Sequence, residues 1–363
     1  MTDQKSVLIL FSDSEIGGAE VSLSRMAASC EATDYHIGTI GTKGAWSQWA
    51  SNQGLSPIIF GGGSFGLLGS TLSALRYAKN HKIDIIYICG FRVSVMIRLL
   101  SLFISAPKFV SGIRWNPNSQ SRLDRFFRKI ERFLKVRMSH YIANANATKS
   151  TLLETIGLSP SKVSVIYNGV DMAKLADVTA HDYQTKNRVV LVPANLSERK
   201  GHVPFLDIIE QIVQTQTNVA FYFMGRDEQN GLVQCEIKRR ELQPFVHCIG
   251  YQADALSYIA GADLVVLPSL YGEGCPTSLL EALGLKVPVV AYDIDGISEI
   301  ISHEKDGYLC EMNTDDMTAN ILKLIDSAEL RETMGEFGNQ KVTAKFTLDV
   351  MAKQHHDIWQ SLN

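Results

Sequence analysis

The sequence predicts an α/β protein made of two Rossmann-like, doubly wound parallel-sheet domains that face each other across a cleft. Three observations carry that prediction. Short runs rich in β-branched and aromatic residues alternate with longer stretches of helical period. The alternation runs through twice, with a polar, aperiodic stretch between the two series. At 363 residues, with 45% hydrophobic and 20% charged, the chain exceeds one ordinary α/β domain and suits two.

Taken in order, the first series of strands is expected at 7–11, 35–40, 58–60, 83–89, 108–113, 141–143 and 163–167, each dominated by Val, Ile, Phe or Tyr. Helical periodicity fills most of the intervals, as at 19–29, 71–80 and 147–156. Near-continuous apolar strands joined by helices imply βαβ units and a largely parallel sheet. Asn168-Gly169 is a turn pair, and 172–187 beyond it is polar without a clear period, so the linker is placed there. A second series follows at 188–192, 219–224, 246–249, 264–267 and 287–291. Ligands of open α/β sheets bind beyond the carboxyl ends of the strands, which with two such domains puts the site in the cleft. No internal repeat or low-complexity segment is present.

The net charge of −3 hides an asymmetry, since residues 1–178 hold 20 Lys and Arg against 12 Asp and Glu, and the remainder hold 15 against 26. The basic half is expected to meet something anionic. No nucleic-acid motif accompanies it, so a membrane surface or a lipid-phosphate substrate fits better than nucleic acid. No apolar run is long enough to span a bilayer, and the first one, at 7–11, is too short for a signal peptide. The six cysteines show no CxxC pairing and read as thiols of a reducing cytoplasm. One further stretch, 123–134, has Leu123, Phe126, Phe127, Ile130, Phe133 and Leu134 on one face and Arg122, Arg125, Arg128, Lys129, Arg132 and Lys135 opposite. It reads equally as a helix packed on its own sheet with a solvated basic side, or as one lying at an anionic bilayer.

The most informative segment is 271–306, YGEGCPTSLLEALGLKVPVVAYDIDGISEIISHEKD. Glu273 and Glu281 stand eight positions apart around a turn-rich Gly-Cys-Pro-Thr stretch, followed by a helical run at 278–285 and a strand at 287–292. A loop that opens a helix leaves backbone N–H groups able to hold an anion. Glu281, in the first turns, is placed to accept from vicinal hydroxyls such as those of a ribose, and Glu273 lies close to whatever the anion carries. Phosphate on backbone, ribose on one carboxylate and a polyhydroxylated group on another describe a nucleotide-sugar site. On their own, two glutamates near a helix start also fit the general preference of acids for that position.

The segment resembles the donor-binding motif of retaining glycosyltransferases of family 4, which have the two-domain GT-B fold. The match runs through Glu273, Gly274, Pro276, Leu280, Glu281, Ala282, Gly284, Pro288 and Val289 and on to Gly296, Glu299, Asp306 and Gly307. Other elements resemble the same family. Gly17-Gly18-Ala19-Glu20 resembles its GG-AE loop, which reaches the donor phosphates. Asn168-Gly169-Val170-Asp171 resembles a domain-end marker, and Phe346-Thr347 the closing turn. Lys200, in Arg199-Lys200-Gly201, matches a lysine aimed at the diphosphate; a lysine near a helix start is otherwise unfavourable. The family's arginine a few positions earlier corresponds here to Asn195, a departure for which Arg199 is a candidate replacement. Many relatives carry a histidine after the strand at 108–113; this chain has Arg114 there, able to pair with an anionic acceptor or the leaving phosphate, and equally suited to a structural ion pair.

The resemblance covers residues 5 to about 347 and implies an N-terminal acceptor-side domain, 1–172, completed by a C-terminal helix at about 346–363. It implies a linker at 173–187 and a nucleotide-sugar donor domain at 188–345. It further implies retaining transfer of a sugar, as by a hexosyltransferase, from a nucleotide-diphosphate sugar to a hydroxyl acceptor. Many bacterial relatives build surface polysaccharides (O-antigen, lipopolysaccharide, capsule) on lipid-linked glycans at the inner face of the cell membrane, so a cytoplasmic, peripheral protein is expected. The residues expected to take part in catalysis are Glu273, Lys200, Arg199 and Arg114. Those expected to bind donor are Gly17, Gly18, Asn195, Arg199, Lys200, Gly250, Glu273, Gly274, Cys275, Pro276, Thr277, Ser278 and Glu281. No cofactor or metal is expected: Asp293-Ile294-Asp295 falls in a loop after a strand, and the histidines form no ligand motif. The alternatives are a non-catalytic nucleotide-sugar-binding subunit of a glycan-assembly complex, and a related epimerase or phosphorylase.

Overall fold

The structure is a computed structural model that describes residues 4–12, 14–61, 66–101, 107–117 and 122–362. The side chains of Leu123 and Phe127 lie outside them. The chain divides into two compact units, Met1–Gly169 with Leu348–Asn363, and Val170–Thr347.

The first unit runs β1 (Ser6–Phe11), α1 (Gly18–Ser29), β2 (Asp34–Ile40), α2 (Ala45–Asn52), β3 (Ile58–Phe60), α3 (Gly66–Asn80), β4 (Ile85–Cys89), α4 (Phe91–Leu100), β5 (Lys108–Ile113), α5 (Arg122–Leu134), β6 (His140–Ala143), α6 (Asn146–Ile156) and β7 (Val163–Val165). The strands form one sheet in the order β3-β2-β1-β4-β5-β6-β7, and every pair is parallel. The period of two in β1 explains why it reads as an unbroken apolar run. Leu8 and Leu10 enter a core with Leu75 of α3, Ile97 of α4 and Leu152 of α6. Val7, Ile9 and Phe11 enter another with Met26 of α1, Trp46 of α2, and Met351 and Trp359 near the C-terminus. Both faces are covered, so both sets of side chains must be apolar.

The second unit runs α7 (Met172–Ala176), β8 (Arg188–Pro193), α8 (His202–Val213), β9 (Val219–Met224), α9 (Leu232–Arg239), β10 (Val246–Gly250), α10 (Ala255–Ala260), β11 (Leu264–Leu267), α11 (Thr277–Gly284), β12 (Val289–Tyr292), β13 (Gly307–Cys310), α12 (Thr314–Asp326) and α13 (Ala328–Lys345). Its parallel sheet has the order β10-β9-β8-β11-β12-β13. Val190 and Val192 of β8 pack with Phe205 and Ile209 of α8, Phe221 and Phe223 of β9 and Leu324 of α12. The sixth strand, β13, was absent from the expected series. The stretch 173–187, expected as a linker, lies within the second unit. His181 N–H donates to Ser257 O at 2.9 Å, and its ring stacks on Tyr258 with centroids 3.9 Å apart. The last helix, α14 (Leu348–Ser361), belongs to the first unit, where Trp359 Nε1 donates to Tyr35 Oη at 2.8 Å.

In each sheet the strand order reverses next to the first strand, between β1 and β4 and between β8 and β11. The chain is tightest at these points. A Cβ on Gly90, directly after β4 with φ at +132°, would lie 1.8 Å from Ser12 Oγ, beyond β1. A Cβ on Gly201, with φ at +71°, would lie 2.0 Å from Pro268 O, directly after β11. Only glycine fits either place.

Candidate functional site

The reversal point of the second sheet brings together the segment after β8 and the segment after β11. Glu198–Lys200 forms a single 3-10 turn, Gly201 closes it in the left-handed region, and α8 starts at His202. Leu270 N–H donates to Arg199 O at 2.9 Å, which pins one segment on the other.

Across this junction Lys200 Nζ lies 2.6 Å from Glu273 Oε1, and Arg199 Nη1 lies 3.1 Å from the same oxygen. Arg199 Nη1 also donates to Gly272 O at 3.4 Å. Glu273 is 5% exposed, whereas the side chain of Arg199 is 40% exposed. Burial by itself raises the pKa of the Glu273 carboxyl, but the charges of Lys200 and then Arg199 outweigh it and hold the group below its ordinary value. Glu273 is therefore an anion at neutral pH, with two cations gathered on one oxygen. Asp295 Oδ2 accepts from Gly272 N at 2.7 Å and from Glu273 N at 3.0 Å, which fixes the loop that carries the glutamate.

The same loop leads through Gly274, Cys275 and Pro276 into α11, whose first residues are Thr277 and Ser278. Pro276 sits at the N-cap with φ at −65°, the angle its ring imposes, and sets the direction of entry. Leu279, Leu280 and Leu283 are fully buried, which anchors the helix. Glu281 lies one turn inside α11 and is half-buried.

Gly250 and Asn195 also belong to the second unit. Gly250 ends β10, two strands from β8, or about 10 Å across the sheet. The side chain of Asn195 is already engaged: Nδ2 donates to Glu228 Oε1 at 2.7 Å and Oδ1 accepts from Arg226 N at 3.1 Å. It clamps the turn after β9. Gly17 and Gly18 belong to the first unit, at the N-cap and start of α1, with the Glu20 carboxylate folded over Gly17. Arg114 also belongs to the first unit, where Nη2 donates to Asn168 Oδ1 at 2.6 Å. Its Nε and Nη1 are buried without a partner among the described residues.

His202 escaped the reading of the sequence. It is fully buried, packs edge-on to Phe223 with centroids 5.0 Å apart, and neither ring nitrogen has a partner among the described residues. Burial, and then the neighbouring charge of Lys200, push its pKa down to about 4, so it is neutral. Its position directly after Lys200-Gly201 was the available signal. Among the described residues no group of three or more His, Cys, Asp or Glu is arranged to hold a metal ion.

The two parallel sheets with their helices define a two-domain α/β protein, and comparison with known proteins places it in a family. The model "Glycosyltransferase Family 4" matches residues 16–174, and "Glycosyl transferases group 1" matches 176–341, one over most of each unit. The chain belongs to glycosyltransferase family 4 and has the GT-B fold. It is 23% identical over 309 residues to the Escherichia coli UDP-Gal:alpha-D-GlcNAc-diphosphoundecaprenol alpha-1,3-galactosyltransferase, covering 80% of this chain and 78% of that one. It is 21% identical over 268 residues to the Campylobacter jejuni N-acetylgalactosamine-N,N'-diacetylbacillosaminyl-diphospho-undecaprenol 4-alpha-N-acetylgalactosaminyltransferase, covering 71% and 72%. Among solved structures, Anabaena HepE in complex with UDP-glucose superimposes with a TM-score of 0.84 at 22% identity, covering 98% of this chain and 99% of that one.

Proposed function

We propose that this glycosyltransferase moves a sugar, with retention at the anomeric carbon, from a nucleotide-diphosphate sugar to a hydroxyl of a lipid-linked glycan during bacterial polysaccharide assembly. The observation that carries the reading is the convergence of Arg199 and Lys200 on one carboxylate oxygen of Glu273 at the reversal point of the second sheet, beside the N-terminus of α11. Open α/β sheets bind nucleotides at such points. The names of the relatives support the rest: two act on diphospho-undecaprenol glycans, one of them from UDP-Gal, and HepE holds UDP-glucose. A UDP sugar at the inner face of the cell membrane is thus the first donor and place to test.

In this reading the leaving diphosphate gathers negative charge as the glycosidic bond breaks. Lys200 and Arg199 meet that charge, together with the backbone N–H groups at Thr277 and Ser278. Glu273 keeps both cations in place beforehand, so little reorganisation is needed during reaction. A carboxylate already shared by two cations is a poor nucleophile, so Glu273 positions the donor sugar and its cations and forms no covalent bond to the sugar. Glu281 holds the ribose hydroxyls. The transfer is proposed to need no metal ion, because the cations sit on side chains.

The test begins with thermal stabilisation of the purified protein by UDP, GDP and ADP compounds. Transfer from the stabilising sugar nucleotide to an undecaprenyl-diphosphate glycan follows, with and without a chelator. Chelator-independent transfer is expected; stabilisation without transfer to any acceptor favours the non-catalytic binding subunit.

A further inference from the structure

The helix α5 is rotated so that one edge of its apolar stripe faces out, while Ile130 and Leu134 of the same stripe are half-buried. Packing on its own sheet alone would favour Phe126 and Phe133 inside and its charges outside. Instead Glu131 is 1% exposed, while Phe126 is 54% exposed, Phe133 74% and, in the turn after the helix, Val136 77%. Phe133 and Val136 are the most exposed large hydrophobic residues among those described.

A buried ion pair sets this rotation. Arg98 of α4 is fully buried and grips both carboxylate oxygens of Glu131, with Nη1 to Oε2 at 2.9 Å. Tyr141 Oη of β6 donates to Oε2, also at 2.9 Å. With Glu131 drawn inward, residues on the opposite side face out. Phe126 and Phe133 are seven positions apart and share that side, with Lys129 between them. Arg122, Arg125, Lys129, Arg132 and Arg137 are all exposed around them, and the one acidic side chain described in 122–137 is the buried Glu131. The N-terminal half of the chain that contains this helix is basic, with 20 Lys and Arg against 12 Asp and Glu over residues 1–178.

We propose that the outer face of α5, through Phe133, Val136 and Phe126 ringed by Arg122, Arg125, Lys129, Arg132 and Arg137, is an interfacial docking surface for an anionic lipid bilayer. Exposed aromatic and aliphatic side chains enter the boundary between headgroups and acyl chains, while the surrounding cations meet lipid phosphates. Charge decides the occupant: a second copy of the same face would oppose five cations with five, whereas an anionic leaflet complements all of them. The inference deepens the reading of a lipid-linked acceptor by assigning the surface that brings the enzyme to it, although vesicle binding itself requires no sugar transfer.

The experiment is co-sedimentation of the full chain with phosphatidylglycerol vesicles and with phosphatidylcholine vesicles, at low and high salt. Wild type should bind the anionic vesicles at low salt, ignore the neutral ones, and release at high salt. Two double variants, Phe133→Ser with Val136→Ser and Arg125→Gln with Lys129→Gln, should each lower partitioning by about tenfold. Arg132 is left in place because its Nε donates to Thr155 O at 2.7 Å at the end of α6. Phe133→Trp gives a reading that does not depend on a disruptive change, since brominated lipids should quench its added fluorescence. The inference is overturned if wild type does not bind anionic vesicles at low salt. It is equally overturned if the Ser variant folds and binds like wild type, if the indole introduced by Phe133→Trp is not quenched, or if the Ser variant instead abolishes a dimer. Binding that follows the pattern in a protein without transferase activity would keep this surface and sink the function proposed above.

Discussion

Lys200 and Glu273 illustrate how much a single contact can organise. They are 73 positions apart, yet 2.6 Å separates Nζ from Oε1. The sequence offered each as a separate candidate donor ligand; that they hold each other was not legible, because local pattern carries no register between loops. Removing Lys200 or Glu281 by alanine substitution should each take away a charged partner of the donor worth about 1.5–3 kcal/mol, or roughly ten- to a hundredfold in transfer. Initial rates at subsaturating donor measure this, and near-wild-type transfer by either variant removes that residue from the site. His202 supplies a second test. Its folded-state pKa of about 4 lies below the ordinary 6.5, so the unfolded chain takes up the proton first as pH falls. The stability this contributes is complete above pH 6.5 and lost progressively down to about 4, by up to about 3 kcal/mol. His355 in the first unit, pushed down to about 3 by burial and then by Arg114, acts with the same sign. Denaturant unfolding at a series of pH values should therefore show a shallower acid loss for His202→Gln than for wild type. Equal slopes would mean that His202 is not buried as a neutral ring.

At the scale of elements, the strands were readable because burial on both faces forces unbroken apolar runs, as in β1 and β8. The missing strand, β13, has only four residues, begins with glycine and lies at the edge of its sheet. It offers neither length nor alternation. The setting of α5 was left open by its sequence, which fits a helix packed on its own sheet and one lying at a bilayer equally. Arg98, 33 positions earlier, draws Glu131 inward and leaves Phe126 and Phe133 outside, while Ile130 and Leu134 stay half-buried. A buried pair is costly to break by halves, since the remaining charge stays desolvated. Glu131→Gln should thus destabilise the first unit by about 3–5 kcal/mol in denaturant unfolding, and Arg98→Met with Glu131→Leu should recover most of the loss. A small effect of Glu131→Gln would show that water reaches Arg98 and that the pair does not set the helix.

For the whole molecule, two parallel sheets each built around a strand-order reversal were legible from the double alternation and from the motif at 271–306. The family assignment rests on matches over both units. Less legible was which expected residues gather. Arg199, Lys200, Glu273 and the start of α11 converge at one junction, while Asn195 is occupied with Arg226 and Glu228 and Gly250 stands two strands away. These differences follow from loop packing that no local spacing encodes. The central claim is retaining sugar transfer from a nucleotide sugar held at that junction. The most direct measurement is proton NMR of the product formed from a UDP-α-sugar and an undecaprenyl-diphosphate glycan, by wild type and by Lys200→Ala. An α-linked product from wild type, formed at a rate reduced at least about tenfold in the variant, is the predicted result. A β-linked product, or equal rates for the two proteins, would contradict it.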